Sequence, residues 1–97
     1  MTSRSAGHDL LHDILLEAGF ALQALDEGRD DLARIHLDRL LRAGYRLPAT
    51  AELPGLPRTA ARAHVQILED LGGSFEAARR TLDDLMRRVA ERLAALP

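Results

Sequence analysis

Ninety-seven residues, 46% hydrophobic and 29% charged with a formal net charge of −2, specify one globular domain, because the apolar content is too high for disorder and the charge too balanced for self-repulsion. A chain of this size buries about 65% of its unfolded surface, which excludes two domains and makes self-association a natural supplement to the core. The absence of cysteine excludes a disulfide framework and thiolate chemistry, and a pI near 6.0 lacks the basic excess of a nucleic-acid module.

Apolar spacing is helical nearly throughout, so the expected fold class is all-α. From His8 to Glu27, Leu11, Ile14, Leu15, Ala18, Leu22 and Leu25 recur at three and four, placing them in one arc of about 100°. Gly28 breaks this first helix. Asp30 or Asp31 then caps a second, with the stripe Ala33, Leu37, Leu40 and Leu41, ended by Gly44 as its C′ residue. A short glycine turn between long helices implies an antiparallel hairpin. Residues 45–56 hold Pro48, Pro54 and Gly55 and form the Pro-rich connection between hairpins, with one turn at Pro48–Leu53 and with Leu47, Leu53 and Leu56 pinning it to the core. Pro57 suits the first position of a third helix, which carries Ala60, Ala61, His64, Leu68 and Leu71 on one side and ends at Gly72-Gly73. Ser74 is the expected N-cap of the last helix. There Phe75, Ala78, Leu82, Leu85, Val89, Leu93 and Leu96 form a coiled-coil-like seam about 33 Å long. The expected architecture is therefore a single domain over residues 1–97, four helices in two antiparallel hairpins, preceded by a flexible stretch at 1–7.

No motif of high catalytic specificity occurs: there is no phosphate loop, nucleophile elbow or zinc-finger spacing. All 13 basic residues are Arg, and Leu with Ala accounts for 35 positions, a bias that reads as GC-rich bacterial coding and not as a phosphate site. On the last helix, Arg79/Asp83, Arg80/Asp84, Asp83/Arg87, Asp84/Arg88 and Arg87/Glu91 are i,i+4 pairs of the kind that decorate a solvated face. Four histidines remain. His8 and His12 stack on one helical face and form the only candidate metal pair, although they need a third ligand from elsewhere. His36 and His64 fall inside the apolar arcs of their helices, where each imidazole either meets the other ring or an acid, or lines a contact surface. Leu16, Phe20 and Ile35 lie on the outer side of the first hairpin, opposite its stripes, as a patch that another chain would cover.

The His12-Asp13 pair, followed by an apolar helix, Gly28, Ala33 and Leu37, resembles the dimerisation and histidine-phosphotransfer hairpin of sensor kinases and sporulation-type phosphotransferases over residues 8–43. The resemblance implies a phospho-accepting His12 with Asp13 as its neighbouring acid, and a bundle completed by a second copy. It departs from that family at Leu16, where a polar residue usually follows the histidine by one turn, and no ATP-binding domain follows. Gly28/Ala33 and Gly72/Ala77 also resemble the turn and helix crossing of tetratricopeptide-like hairpins, which hold a partner helix or peptide. The aromatic positions and closing proline of that motif are missing, and the 44-residue offset exceeds its usual period of about 34.

These features together point to a small cytoplasmic protein-interaction module, an adaptor, chaperone or regulatory subunit. The expected partner is another protein or a second copy, as in a homodimer, with no nucleic acid, no membrane and no cofactor. Its expected contact residues are Leu16, Phe20, Ile35, Leu82, Leu85, Val89 and Leu93. The alternative is a phosphorelay through His12; the third is metal binding at His8 and His12. No run of about 18 apolar residues and no charged-then-apolar leader at Met1–Gly7 support the cytoplasmic setting.

Overall fold

The computed structural model describes residues 6–96 and is an all-α bundle: α1 (Ala6–Asp26), α2 (Asp30–Tyr45), α3 (Leu56–Glu69) and α4 (Glu76–Ala95), with a single 3-10 turn at Ala49–Ala51 in the connection. Met1 to Ser5 of the expected flexible stretch lie outside the described residues, whereas Ala6 and Gly7 already belong to α1. Among the described residues, no helix is long and apolar enough to cross a membrane.

Each helix packs on two neighbours. α1 lies against α2 and α4, and α3 against the same two, so α1 and α3 occupy opposite corners of the bundle. Side-chain pairs fix the directions. Thr81 donates to Gln66 at 2.6 Å and Arg88 donates to Thr59 at 3.4 Å, so α4 ascends as α3 descends. The three-residue turn between α1 and α2 closes as a Schellman motif, in which the Arg29 N–H donates to the Ala24 carbonyl at 2.8 Å and the Gly28 N–H to that of Leu25 at 3.1 Å. That geometry needs the left-handed φ of 72° that glycine supplies at position 28.

The core joins the expected stripes of α1, α2 and α4. Leu11, Ile14 and Ala18, then Ala33, Leu37 and Leu40, then Ala78, Leu82, Leu85 and Val89 are all buried. Leu53, Leu56 and the half-buried Leu47 tie the connection to it. Close approach is steric at one further point. A Cβ on Gly7 would come within 2.4 Å of the Ala51 Cβ, so only glycine lets the first turn of α1 rest on the 3-10 turn.

Asp30 and Asp31 lie in the first turn of α2 and do not cap it, its N-cap being Arg29 with no side-chain cap hydrogen bond. Four further local expectations are corrected. First, the buried stripe of α3 is Leu56, Ala60, Ala63 and Ile67, so Ala61, Leu68 and Leu71 are exposed. Second, α3 begins at Leu56, which makes Pro57 the second helical residue, and its N-cap is Gly55 at φ 80°. Third, Gly44 does not end α2. The helix continues to Tyr45, and a Cβ at Gly44 would meet Leu56 Cδ2 at 2.7 Å, so helix packing is what this glycine serves. Fourth, the N-cap of α4 is Phe75, not Ser74. Its ring is buried, its backbone is left-handed (φ 56°, ψ 34°), and its N–H donates to Asp70 Oδ2 at 2.7 Å.

The arginines of α4 are also more than surface decoration. Arg80 pairs with Glu76, and Arg87 with Asp84 and Glu91, as a solvated face would. Arg79 instead reaches Asp26 on α1 and the Ser74 carbonyl. Arg88 donates to the Pro54 carbonyl at 2.8 Å and Arg92 to the Thr50 carbonyl at 2.6 Å, so two guanidinium groups strap the 46–55 connection onto α4. Replacing Arg88 by Ala is expected to cost about 1 kcal/mol, the range for a charge-assisted hydrogen bond at a partly exposed position. Faster amide exchange confined to residues 47–56 would confirm the strap, and unchanged exchange there would refute it.

Candidate protein-binding surface

The outer face of the α1–α2 hairpin carries the apolar side chains expected of it. Leu16 is 45% exposed, Phe20 46% and Ile35 49%, values far above those of the core leucines and large enough to leave each side chain open to a partner. Leu16 and Phe20 are one turn apart on α1 and lie opposite the buried stripe of Leu11, Ile14, Ala18 and Leu25.

Phe20 is held in place. Its ring packs on the His36 ring with centroids 5.3 Å apart and planes tilted by 41°. His36 in turn donates its Nδ1–H to Glu17 Oε2 at 2.6 Å, both side chains being largely shielded from solvent. The imidazole predicted to need a partner has thus found an acid one turn before Phe20. Leu10, Asp13, Leu16 and Phe20 of α1 face Arg39, Arg42 and Arg46 across a shallow groove of about 460 Å³. Arg42 is paired within its own helix to Asp38 at 3.0 Å. An apolar floor beside a row of guanidinium groups matches the pattern of a protein interface, where arginine serves the rim and aromatics the centre.

His64 takes a different place from His36. It lines the α2–α3 groove, about 330 Å³, with Leu37, Asp38 and Leu41 on one wall and Ala60, Ala61 and Val65 on the other. The two histidines are thus directed into separate helix pairs and do not serve one another. Val65 in this groove and Leu68 and Leu71 further along the chain are exposed, whereas the expected α3 stripe turned Leu68 and Leu71 inward. The available signal was Ala63 and Ile67, which continue the Leu56–Ala60 ladder at three- and four-residue steps and, once assigned inward, turn Val65 and Leu68 out.

The other predicted contact residues behave differently. Leu82, Leu85 and Val89 are fully buried against the chain's own helices and Leu93 is partly buried on the same core, so the α4 seam closes the monomer and offers no free face. The expectation that these three meet a partner fails because α1 and α3 of the same chain already cover them. His12 and Asp13 are both exposed on α1, and α3 and α4 fill the remaining corners of the bundle that the phosphotransfer resemblance assigned to a second copy. His8 is half-buried with Asp9 Oδ1 at 3.8 Å from its Nδ1, and among the described residues no group of three or more His, Cys, Asp or Glu is placed to hold a metal ion. Of the two residues compared with the tetratricopeptide crossing, Ala33 is buried and Ala77 is exposed, its inward role falling to Ala78. Scans against family models, curated proteins and solved structures found no match for this chain.

Proposed function

We propose that this protein is a small helical interaction module, in the class of adaptors, chaperones and regulatory subunits, working in the cytoplasm by binding a protein through the outer face of α1 and α2. The observation that carries this reading is Phe20: nearly half exposed, yet clamped by the Glu17–His36 pair. A pre-set aromatic anchor lowers the entropy lost on association, which is how interface hot spots gain affinity.

Replacing Phe20 by Ser is expected to weaken association at least tenfold, about 1.4 kcal/mol, while helix content stays the same. The partner is captured by a photo-crosslinking side chain at position 20 in living cells. An adduct of protein mass, whether a second copy or another chain, supports the reading; an adduct-free protein, or binding untouched by Phe20→Ser, refutes it.

A second reading, phosphorelay through His12, is favoured by the exposure of His12 and by Asp13 lying across from Arg39, Arg42 and Arg46. On that reading incubation with a phosphodonor gives acid-labile phosphate that His12→Gln abolishes.

A further inference from the structure

The outer face of the α1–α2 hairpin carries two exposed stripes that match level by level. Phe20, Leu16, Asp13 and Asp9 descend α1 in steps of four, three and four, and Ile35, Arg39, Arg42 and Arg46 follow α2 back in the same steps. Phe20 stacks on His36, so its level on α2 is that of the adjacent Ile35. Equal steps then set Leu16 level with Arg39, Asp13 with Arg42 and Asp9 with Arg46, and the groove between the helices is lined by Leu16 and Asp13 on one side and these arginines on the other. The face is therefore apolar towards the Gly28 turn, and at its other end acidic on α1 and basic on α2.

Local pairing leaves these charges open to a partner. Asp13, Arg39 and Arg46 form no ion pair among the described residues. Asp9 has the His8 ring at 3.8 Å, and Arg42 has Asp38 in an exposed pair of the kind that contributes little. We infer that this face is covered by the same face of a second copy, related by a two-fold axis running parallel to the helices. Such an axis turns the face over left to right and keeps every level in place, so α1 of each copy lies on α2 of the other. Phe20 of each copy then meets Ile35 of the other, Leu16 meets the aliphatic stem of Arg39, and Asp13 and Asp9 meet Arg42 and Arg46, every contact being made twice. This rests on the reading of the hairpin face as a protein-binding surface and names its occupant.

Charge selects this axis over the alternative. An axis across the helices lays α1 on α1 and α2 on α2 end for end, which sets Asp13 and Asp9 against Leu16 and Phe20 and Arg42 against Arg39. Centred on Phe20 instead, it leaves the charged ends of both copies uncovered. A foreign partner would need an acidic and a basic stripe at the same levels as these; a second copy has both by construction. The lengthwise contact is isologous, so it consumes the face and stops at two chains. Two helix stripes make a small interface, so the dimer is weak and forms at concentrations from about 10 µM to 1 mM.

Charge-swapped variants test this in purified protein. In sedimentation equilibrium the wild-type weight-average mass rises with concentration from 10.7 kDa towards twice that value and no further. Asp9→Arg/Asp13→Arg makes both stripes basic, and Arg42→Glu/Arg46→Glu makes both acidic. Each alone is expected to dimerise at least tenfold more weakly than wild type, with unchanged circular dichroism. Mixed one to one they recover the dimer, because each stripe again faces its opposite. A chain carrying all four changes, whose net charge equals that of wild type, dimerises on its own as well. A wild type monomeric at every concentration, a wild type that grows past two chains, or a mixture that associates no better than either variant alone would overturn the inference. A monomeric wild type that still yields a crosslink from position 20 to another protein would leave the interaction reading standing, whereas loss of both would remove it too.

Discussion

Phe75→Ala is expected to lower the unfolding free energy by about 3–4 kcal/mol, a large share of the roughly 5–15 kcal/mol that holds a domain of this size. The ring is 4% exposed and belongs to the core, so truncation removes its apolar burial and leaves a cavity where α4 begins. The backbone of position 75 stays left-handed in this variant, since Asp70 still accepts its N–H and the chain must still turn into α4. Alanine gains nothing from that φ, whereas glycine adopts it freely. Phe75→Gly is accordingly expected to be at least as stable as Phe75→Ala, reversing the usual disadvantage of about 0.5–1 kcal/mol for glycine at a helix position. Urea unfolding of the two variants checks both points. An alanine variant within about 1 kcal/mol of wild type would place the ring outside the core, and a glycine variant clearly less stable than alanine would contradict the left-handed cap.

The second large effect concerns Leu85, midway along α4 and fully buried. Leu85→Ala should cost about 3 kcal/mol, within the range for leucine truncation in a close-packed core. Its value lies in the second readout. Since the seam of Leu82, Leu85 and Val89 packs inside the chain, the sedimentation behaviour of the variant should match wild type at temperatures where both are folded. Lost association with unchanged unfolding would instead make the seam an interface between chains.

Much of the fold is legible in the sequence because three of the helices are long and their stripes unambiguous. Leu11 to Leu25, Ala33 to Leu40 and Ala78 to Val89 admit one helical register each, and that register is the one that is buried. α3 is harder. Ala60, Ala61 and Ala63 are the same residue and give no preference among themselves, so the larger Leu68 and Leu71 draw the stripe away from the Leu56–Ile67 ladder that packing on α2 and α4 selects. The cap of α4 is hard to place from sequence for a similar reason. Serine at position 74 has the better capping propensity, but burial of the Phe75 ring and the Asp70 carboxylate behind its N–H shift the start by one residue. Long arginines defeat local rules in another way. Arg79 has Asp83 four residues on, yet bonds across the bundle to Asp26. On the candidate surface, Leu16, Phe20 and Ile35 were legible because each breaks its own helix's pattern, while the Glu17–His36 clamp joins residues 19 apart and no local rule reports it.

The contact between Gly7 and Ala51 has a consequence for how this sequence can vary. The 2.4 Å separation means that the two positions share room for one methyl group, held at present by Ala51. A lineage in which position 7 acquires a side chain must surrender the one at position 51 or lift the 3-10 turn off α1, loosening the strap that Arg92 makes to Thr50. The two sites, 44 residues apart in sequence, are thus free to change only together, and covariation between them would be the mark this packing leaves on descendants of the chain.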